Sequence, residues 1–180
     1  MIAALDATPL TVPTGGVRRY TEELALALAD EFAEDEYWLL SDQPFAMPAG
    51  RFKGGTVRSR RWWSLGLPRE LAHIRAGVFH GTDFAVPYLP LCPTVMSLHD
   101  LSPWKDPAWH FAADRVRRRA PLLVGLGLAT MVVTHSEAVR REAIETFRLA
   151  PARVVAVPAA ASARFRPVPA RPGVKPYYLY

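Results

Sequence analysis

Apolar residues run along this chain in two alternating rhythms. Short runs of strand length cover Ile2–Ala7, Tyr37–Leu40, Val78–His80, Thr94–Leu98, Met131–Thr134 and Arg153–Val157. Between them the spacing turns helical. Val17, Tyr20, Leu24, Leu28 and Phe32 predict a helix over 17–33, and 62–75 reads as a helix interrupted near Gly66-Leu67-Pro68. A long helix is expected from Pro107, which suits a first helical turn, to about Leu128, with a kink at Pro121. Ser136 is a natural N-cap for a helix over Glu137–Phe147. Asp42–Gly55 reads as a loop, with a weaker strand expected over Thr56–Ser59. Strands alternating with helices specify an α/β domain whose sheet is mostly parallel and doubly wound, with helices on both faces.

Several of these strands end in polar groups. Val95-Met96-Ser97-Leu98 runs into His99-Asp100, Val78-Phe79 into His80-Gly81-Thr82-Asp83, and Val132-Val133 into Thr134-His135-Ser136. In open parallel sheets the C-terminal strand edge is where ligands bind, so this edge is the expected cleft. His99 and Asp100 are candidate acid–base or hydrogen-bonding groups there. They equally suit a structural pair, with Asp100 capping the next turn and His99 satisfying a buried backbone group. His80, Thr82 and Asp83 are candidate substrate contacts by the same geometry, and Ser136 could hold an anion at its helix N-terminus. His73 and His110 fall in helical stretches and read as surface or packing residues. Gly15-Gly16 opens the first helix, where glycines let backbone N–H groups approach a phosphate, with Arg18 alongside. An ordinary loop-to-helix turn fits the same residues. The dinucleotide fingerprint is broken by Arg18 and Tyr20, and no Walker loop, nucleophile elbow or metal-ligand spacing occurs.

The chain has 180 residues, 50% hydrophobic and 22% charged, enough for one globular core. A single cysteine, Cys92, fits a reducing compartment. No secretory leader is evident, because Asp6 follows Met1 too closely and no basic segment precedes the apolar run. The apolar run from Ala120 to Thr134 contains Pro121, Gly125 and Gly127 and falls short of the roughly 20 residues a membrane helix needs. The net charge of +5 is uneven: Arg51, Lys53, Arg58, Arg60 and Arg61 form one cluster and Arg115, Arg117, Arg118 and Arg119 another. Such clusters suit phosphates or an anionic lipid surface, and also a plain solvated face. Trp62-Trp63 beside the first cluster reads as core packing ahead of membrane anchoring.

Taken in order, Gly-Gly-Val-Arg-Arg-Tyr-Thr-Glu-Glu-Leu (15–24), Val-Phe-His-Gly-Thr-Asp-Phe-Ala-Val-Pro (78–87), Val-Met-Ser-Leu-His-Asp-Leu (95–101) and Val-Val-Thr-His-Ser-Glu-Ala-Val-Arg-Arg-Glu (132–142) resemble glycosyltransferase family 4. These are the "group 1" retaining enzymes of GT-B fold, and mannosyltransferase-like members are nearest in style. Val155-Ala156-Val157-Pro158 and Arg164-Phe165-Arg166-Pro167 extend the likeness. The resemblance implies one half of a two-domain architecture. Residues 1–168 would form the acceptor-side, Rossmann-like N-terminal domain, and 169–180, rich in proline and opening the strand-like Tyr177-Tyr178-Leu179-Tyr180, a linker into a donor-binding domain. It further implies transfer of mannose or a similar hexose from a nucleotide-sugar to a glycan or lipid-linked acceptor, with no essential metal. Gly15 and Gly16 would lie near the donor phosphates, His99 beside the transferred sugar, and Asp100 in support. The work would be cytoplasmic, at or near the inner membrane face, without nucleic acid, and the isolated half would be inactive. Two departures stand out: Arg18 replaces a small residue, and Pro158-Ala159-Ala160-Ala161-Ser162 replaces a Pro-Asn-Gly-Val-Asp turn. The alternative is a non-catalytic α/β ligand-binding or regulatory module; a Rossmann oxidoreductase is disfavoured by the broken fingerprint.

Overall fold

A computed structural model describes residues 1–106, 108, 113–162 and 166. Seven strands form one sheet in the order β3-β2-β1-β4-β5-β6-β7, and every pairing is parallel. They are β1 Ile2–Asp6, β2 Glu36–Ser41, β3 Phe52–Thr56, β4 Val78–Gly81, β5 Thr94–Leu98, β6 Met131–Thr134 and β7 Val154–Ala156. The helices are α1 Gly16–Glu31, α2 Leu67–His73, α3 Ser102–Lys105, α4 Asp114–Gly125 and α5 Glu137–Phe147. This is the Rossmann-like α/β fold expected from the alternation.

The pleat divides the core. Ala3, Leu5, Leu39 and Tyr37 face α1, which returns Leu24, Ala25 and Leu28. Ala4, Phe79, Met96, Leu98 and Val132 face the opposite layer of α2, α4 and α5, anchored by Leu67, Leu71, Leu123, Val124 and Ala143. Trp62 belongs to that second core at 3% exposure, and Trp63 packs against it, so the tryptophan pair is structural.

Two elements differ from the sequence expectation. The third strand is Phe52–Thr56, not Thr56–Ser59. Its Gly54-Gly55 lacks strand propensity, yet it pairs along β2 and only glycine fits there: Gly54 has φ +100° and an added Cβ would lie 2.4 Å from the Leu39 carbonyl. Of the helix expected over Pro107–Leu128, α4 covers Asp114–Gly125 and is preceded by the single turn α3; Pro107 and 109–112, including His110, lie outside the described residues. Pro121 sits inside α4 and has no N–H for the Arg117 carbonyl. The Trp104 indole N–H donates to that carbonyl instead, at 3.1 Å, which ties α3 to α4. The expected linker and final strand-like residues, 169–180, also lie outside the described residues.

Candidate functional site

Strand order reverses between β1 and β4, so the crevice of this sheet opens there, beyond the strands' C-terminal ends. Asp6 closes β1 and is 2% exposed. Its carboxylate accepts the Thr8 N–H at 3.0 Å and the Thr8 hydroxyl at 2.6 Å. Across the switch point the Thr82 hydroxyl donates to the Asp6 carbonyl at 2.8 Å. The chain then turns so tightly that a Cβ on Gly81 would sit 1.6 Å from the Ala85 carbonyl oxygen. That turn forces Phe84 to a left-handed φ of 51°, a conformation large residues rarely hold, and pins its N–H on the Ser97 carbonyl at 3.1 Å.

Over this turn lies a ring cluster. His99 Nε2 is 2.8 Å from the Thr82 carbonyl, so that nitrogen carries the proton, since a carbonyl only accepts. Neutral His99 therefore presents a bare Nδ1, and His135 Nε2 donates to it at 2.7 Å. Asp83 stands 4.0 Å from His99 Nε2. The Tyr20 ring meets both imidazoles edge-on, with centroids 5.1 Å from His99 and 4.8 Å from His135, and Phe84 closes the other side at 5.5 Å. One proton fits between the imidazoles. A second would set N–H against N–H, so the pair carries at most one positive charge. Burial and the neighbouring His99 both push the His135 proton affinity down.

Beneath the rings, Ser97 Oγ is shared by Tyr20 OH at 2.8 Å and His80 Nε2 at 2.9 Å. His80 therefore lies one layer below the crevice, on the α1 side of the sheet, rather than at a substrate contact. Thr82 is likewise corrected: its hydroxyl is fully buried and spent on Asp6. Asp100 turns away from His99, accepting the Ser102 N–H at 2.7 Å and the Ser102 hydroxyl, so it caps the entry to α3. Ser136 caps α5 as expected, accepting the Val139 N–H at 3.2 Å. The His99 side chain is 13% exposed, more enclosed than an open strand end predicts. The tip of the crevice thus keeps His99, Asp83 and the N-terminus of α1.

At that N-terminus Gly15 and Gly16 are exposed, and Gly15 adopts φ +139°, which a side chain would strain. Arg18 is turned onto Glu22 at 2.7 Å. Its Nη1 is thereby turned along the helix, while its Nε is buried without a partner among the described residues. Among the described residues no three His, Cys, Asp or Glu side chains converge as metal ligands would.

Asp6, Tyr20, Ser97 and His135 were not singled out from sequence. Asp6 obeys the rule that exposed the others, an ionisable residue ending a buried strand. Tyr20 is one helical turn beyond Gly16, and its reach to the strand ends is invisible without the packing.

Burial raises the Asp6 carboxyl to about 6 and lowers His80 to about 4. Folded Asp6 holds its proton more tightly than an unfolded carboxyl, so it costs stability as pH rises from about 4 to about 6. His80 acts oppositely, costing stability as pH falls from about 6.5 to about 4. The two slopes offset each other. Asp6→Asn, which still accepts the Thr8 N–H, is expected to gain on the order of 2 kcal/mol at pH 7 and then lose stability more steeply on acidification. Thermal melts of both proteins from pH 4 to pH 7 check this, and parallel curves would contradict it.

No curated protein matches the chain. A sequence model of Glycosyltransferase Family 4 matches residues 14–162, from the loop before α1 to beyond β7, and so takes in all of the site except Asp6 and Thr8. A single parallel sheet with its polar cluster at the switch point, carrying that family's signature over most of its length, belongs to glycosyltransferase family 4.

Proposed function

We propose that this domain is the acceptor-side half of a retaining GT-B hexosyltransferase, mannosyltransferase-like, that moves a sugar from a nucleotide-sugar to a glycan or lipid-linked acceptor. The match over residues 14–162 carries this assignment. The α1 N-terminus at Gly15-Gly16 supplies backbone N–H groups and the positive end of a helix dipole to the donor diphosphate. His99 meets the transferred sugar. His135 and the Thr82 carbonyl hold its ring in one orientation, with Asp83 4.0 Å from its Nε2. A polar ring fixed in this way stabilises charge that develops beside it in the transition state. The chemistry needs no essential metal, because the charge on the leaving group is met by the helix and the imidazole.

Retaining transfer requires donor and acceptor in one fixed geometry, so the reading includes a second, donor-binding domain, and residues 1–180 alone are expected to be inactive. No helix among the described residues is long and apolar enough to cross a membrane. We place the enzyme in the cytoplasm, touching the inner membrane face through Arg51–Arg61 or Arg115–Arg119, where Arg51, Arg58, Arg60, Arg61, Arg115 and Arg118 are exposed.

Incubating the full-length enzyme with a panel of nucleotide-sugars and extracted glycan or lipid acceptors tests the proposal. Acceptor-dependent release of nucleoside diphosphate with α-configured product from an α-linked donor is expected. Inverted product would overturn the retaining assignment, and no transfer from any donor would leave the binding-module alternative.

A further inference from the structure

A second concave site flanks the crevice. Tyr88, from the loop between β4 and β5, and Asp114, Arg115, Arg118, Arg119 and Leu122 of α4 line an open, concave pocket of about 470 Å³. That volume falls within the roughly 300–1,000 Å³ of small-molecule sites. Its chemistry is one-sided. Arg119 is only 9% exposed, and its guanidinium lies 4.7 Å over the Trp63 ring. Its Nε and Nη1 are buried without a partner among the described residues. None of Arg115, Arg118 and Arg119 forms an ion pair with a described carboxylate. Asp114, the acid of the wall, is taken by Arg117.

Buried polar groups are nearly always hydrogen-bonded, and a buried unpaired charge is expensive. Arg119 has the Tyr88 side chain as one hydrogen-bond partner; its Nε and Nη1 have none among the described residues, and with two more arginines at the rim these unmet donors suit an anion. A buried guanidinium donates strong, charge-assisted hydrogen bonds to phosphoryl oxygens through such free N–H groups. The field of Arg119 reaches the carboxyls of Asp6 and Asp83, which sets the pocket beside the switch point rather than on a remote face.

We propose that this pocket is an anion subsite that takes a phosphoryl group of the acceptor, a phosphorylated sugar or polyol, with Arg119 as the buried donor and Arg115 and Arg118 at the mouth. The word acceptor rests on the transferase assignment; the anion site itself does not. Two sources present the same group, a soluble sugar phosphate and a phospholipid headgroup.

Tryptophan fluorescence of the full-length protein reads binding, because Trp63 stacks on Arg119. The probes are glucose 6-phosphate, glucose, inorganic phosphate, and vesicles of phosphatidylcholine alone or equimolar with phosphatidylglycerol. Glucose 6-phosphate is expected to give a saturable signal that glucose does not. Arg119→Met, which keeps the stacking volume, should weaken it about 10- to 100-fold, the range for losing a charge-assisted hydrogen bond. The double variant Arg115→Gln/Arg118→Gln changes only exposed positions and keeps the test valid if Arg119→Met misfolds; it should weaken binding by about threefold or more. A response confined to phosphatidylglycerol vesicles, with the same arginine dependence, supports the subsite and names the headgroup as its source. Equal binding of glucose, silence from every phosphorylated probe, or affinity indifferent to both variants would overturn the proposal. If transfer fails while arginine-dependent phosphate binding stands, the transferase assignment falls and the subsite remains.

Discussion

Replacing His99 by alanine is expected to lower kcat of the full-length transferase by about 10- to 1,000-fold, the range seen when a well-placed polar contact to developing charge is lost. The reason lies in how the ring is held. One nitrogen donates to the Thr82 carbonyl and the other accepts from His135, while Tyr20 and Phe84 wall the ring on two sides. A group fixed this way needs little reorganisation when charge develops beside it. The same enclosure means the substitution also costs stability, about 1–3 kcal/mol, because the Thr82 carbonyl loses its donor. Activity and folding must therefore be separated. His135→Gln keeps an N–H within reach of His99 Nδ1 while removing the second imidazole. It is expected to preserve the melting temperature within a few degrees and to lower kcat by roughly tenfold with KM little changed, since it alters only the charge the pair can share. It should also flatten the acid limb of the pH–rate profile. Unchanged turnover in His99→Ala, or losses in both variants that simply track the unfolded fraction, would return the ring cluster to a structural role.

Gly81→Ala is expected to be the most damaging single methyl group in the domain. The added Cβ would fall 1.6 Å from the Ala85 carbonyl oxygen, a backbone atom that cannot swing aside as a side chain would. The 82–85 turn must move, and it carries the Thr82 bridge to Asp6, the carbonyl that anchors His99, and the strained Phe84. A loss of about 4 kcal/mol or more is expected, the size that marks a forced backbone shift, lowering the melting temperature by roughly 10 °C. Gly125→Ala is the control. Gly125 ends α4 with open space where the Cβ would go, so alanine there should be neutral or stabilising by about 0.5–1 kcal/mol. Equal melting temperatures for the two variants would show that the turn is more yielding than its geometry requires.

The amino-acid sequence by itself determined the layered α/β class, six of the seven strands nearly to the residue, the Ser136 cap, and the sheet edge on which the polar groups lie. Those features follow from local rules: a period of two or 3.6, a side chain that reaches its own backbone, an ionisable residue at the end of an apolar run. Tertiary structure alone decided which groups at that edge share a space. His80 and Thr82 look from sequence like His99, yet the pleat turns His80 toward α1 and the switch point claims the Thr82 hydroxyl. Asp100 follows His99 in the chain and is drawn off by its own turn. His135 meets His99 from 36 residues away because β5 and β6 pair in register, Leu98 beside Thr134. The strand over 52–56 forms against propensity because its glycines let it lie close along β2. Spacing along a chain governs only neighbours within a turn or a strand. Which distant side chains meet, and which hydrogen bonds they use up, depends on register and strand order, and these are settled when the sheet assembles.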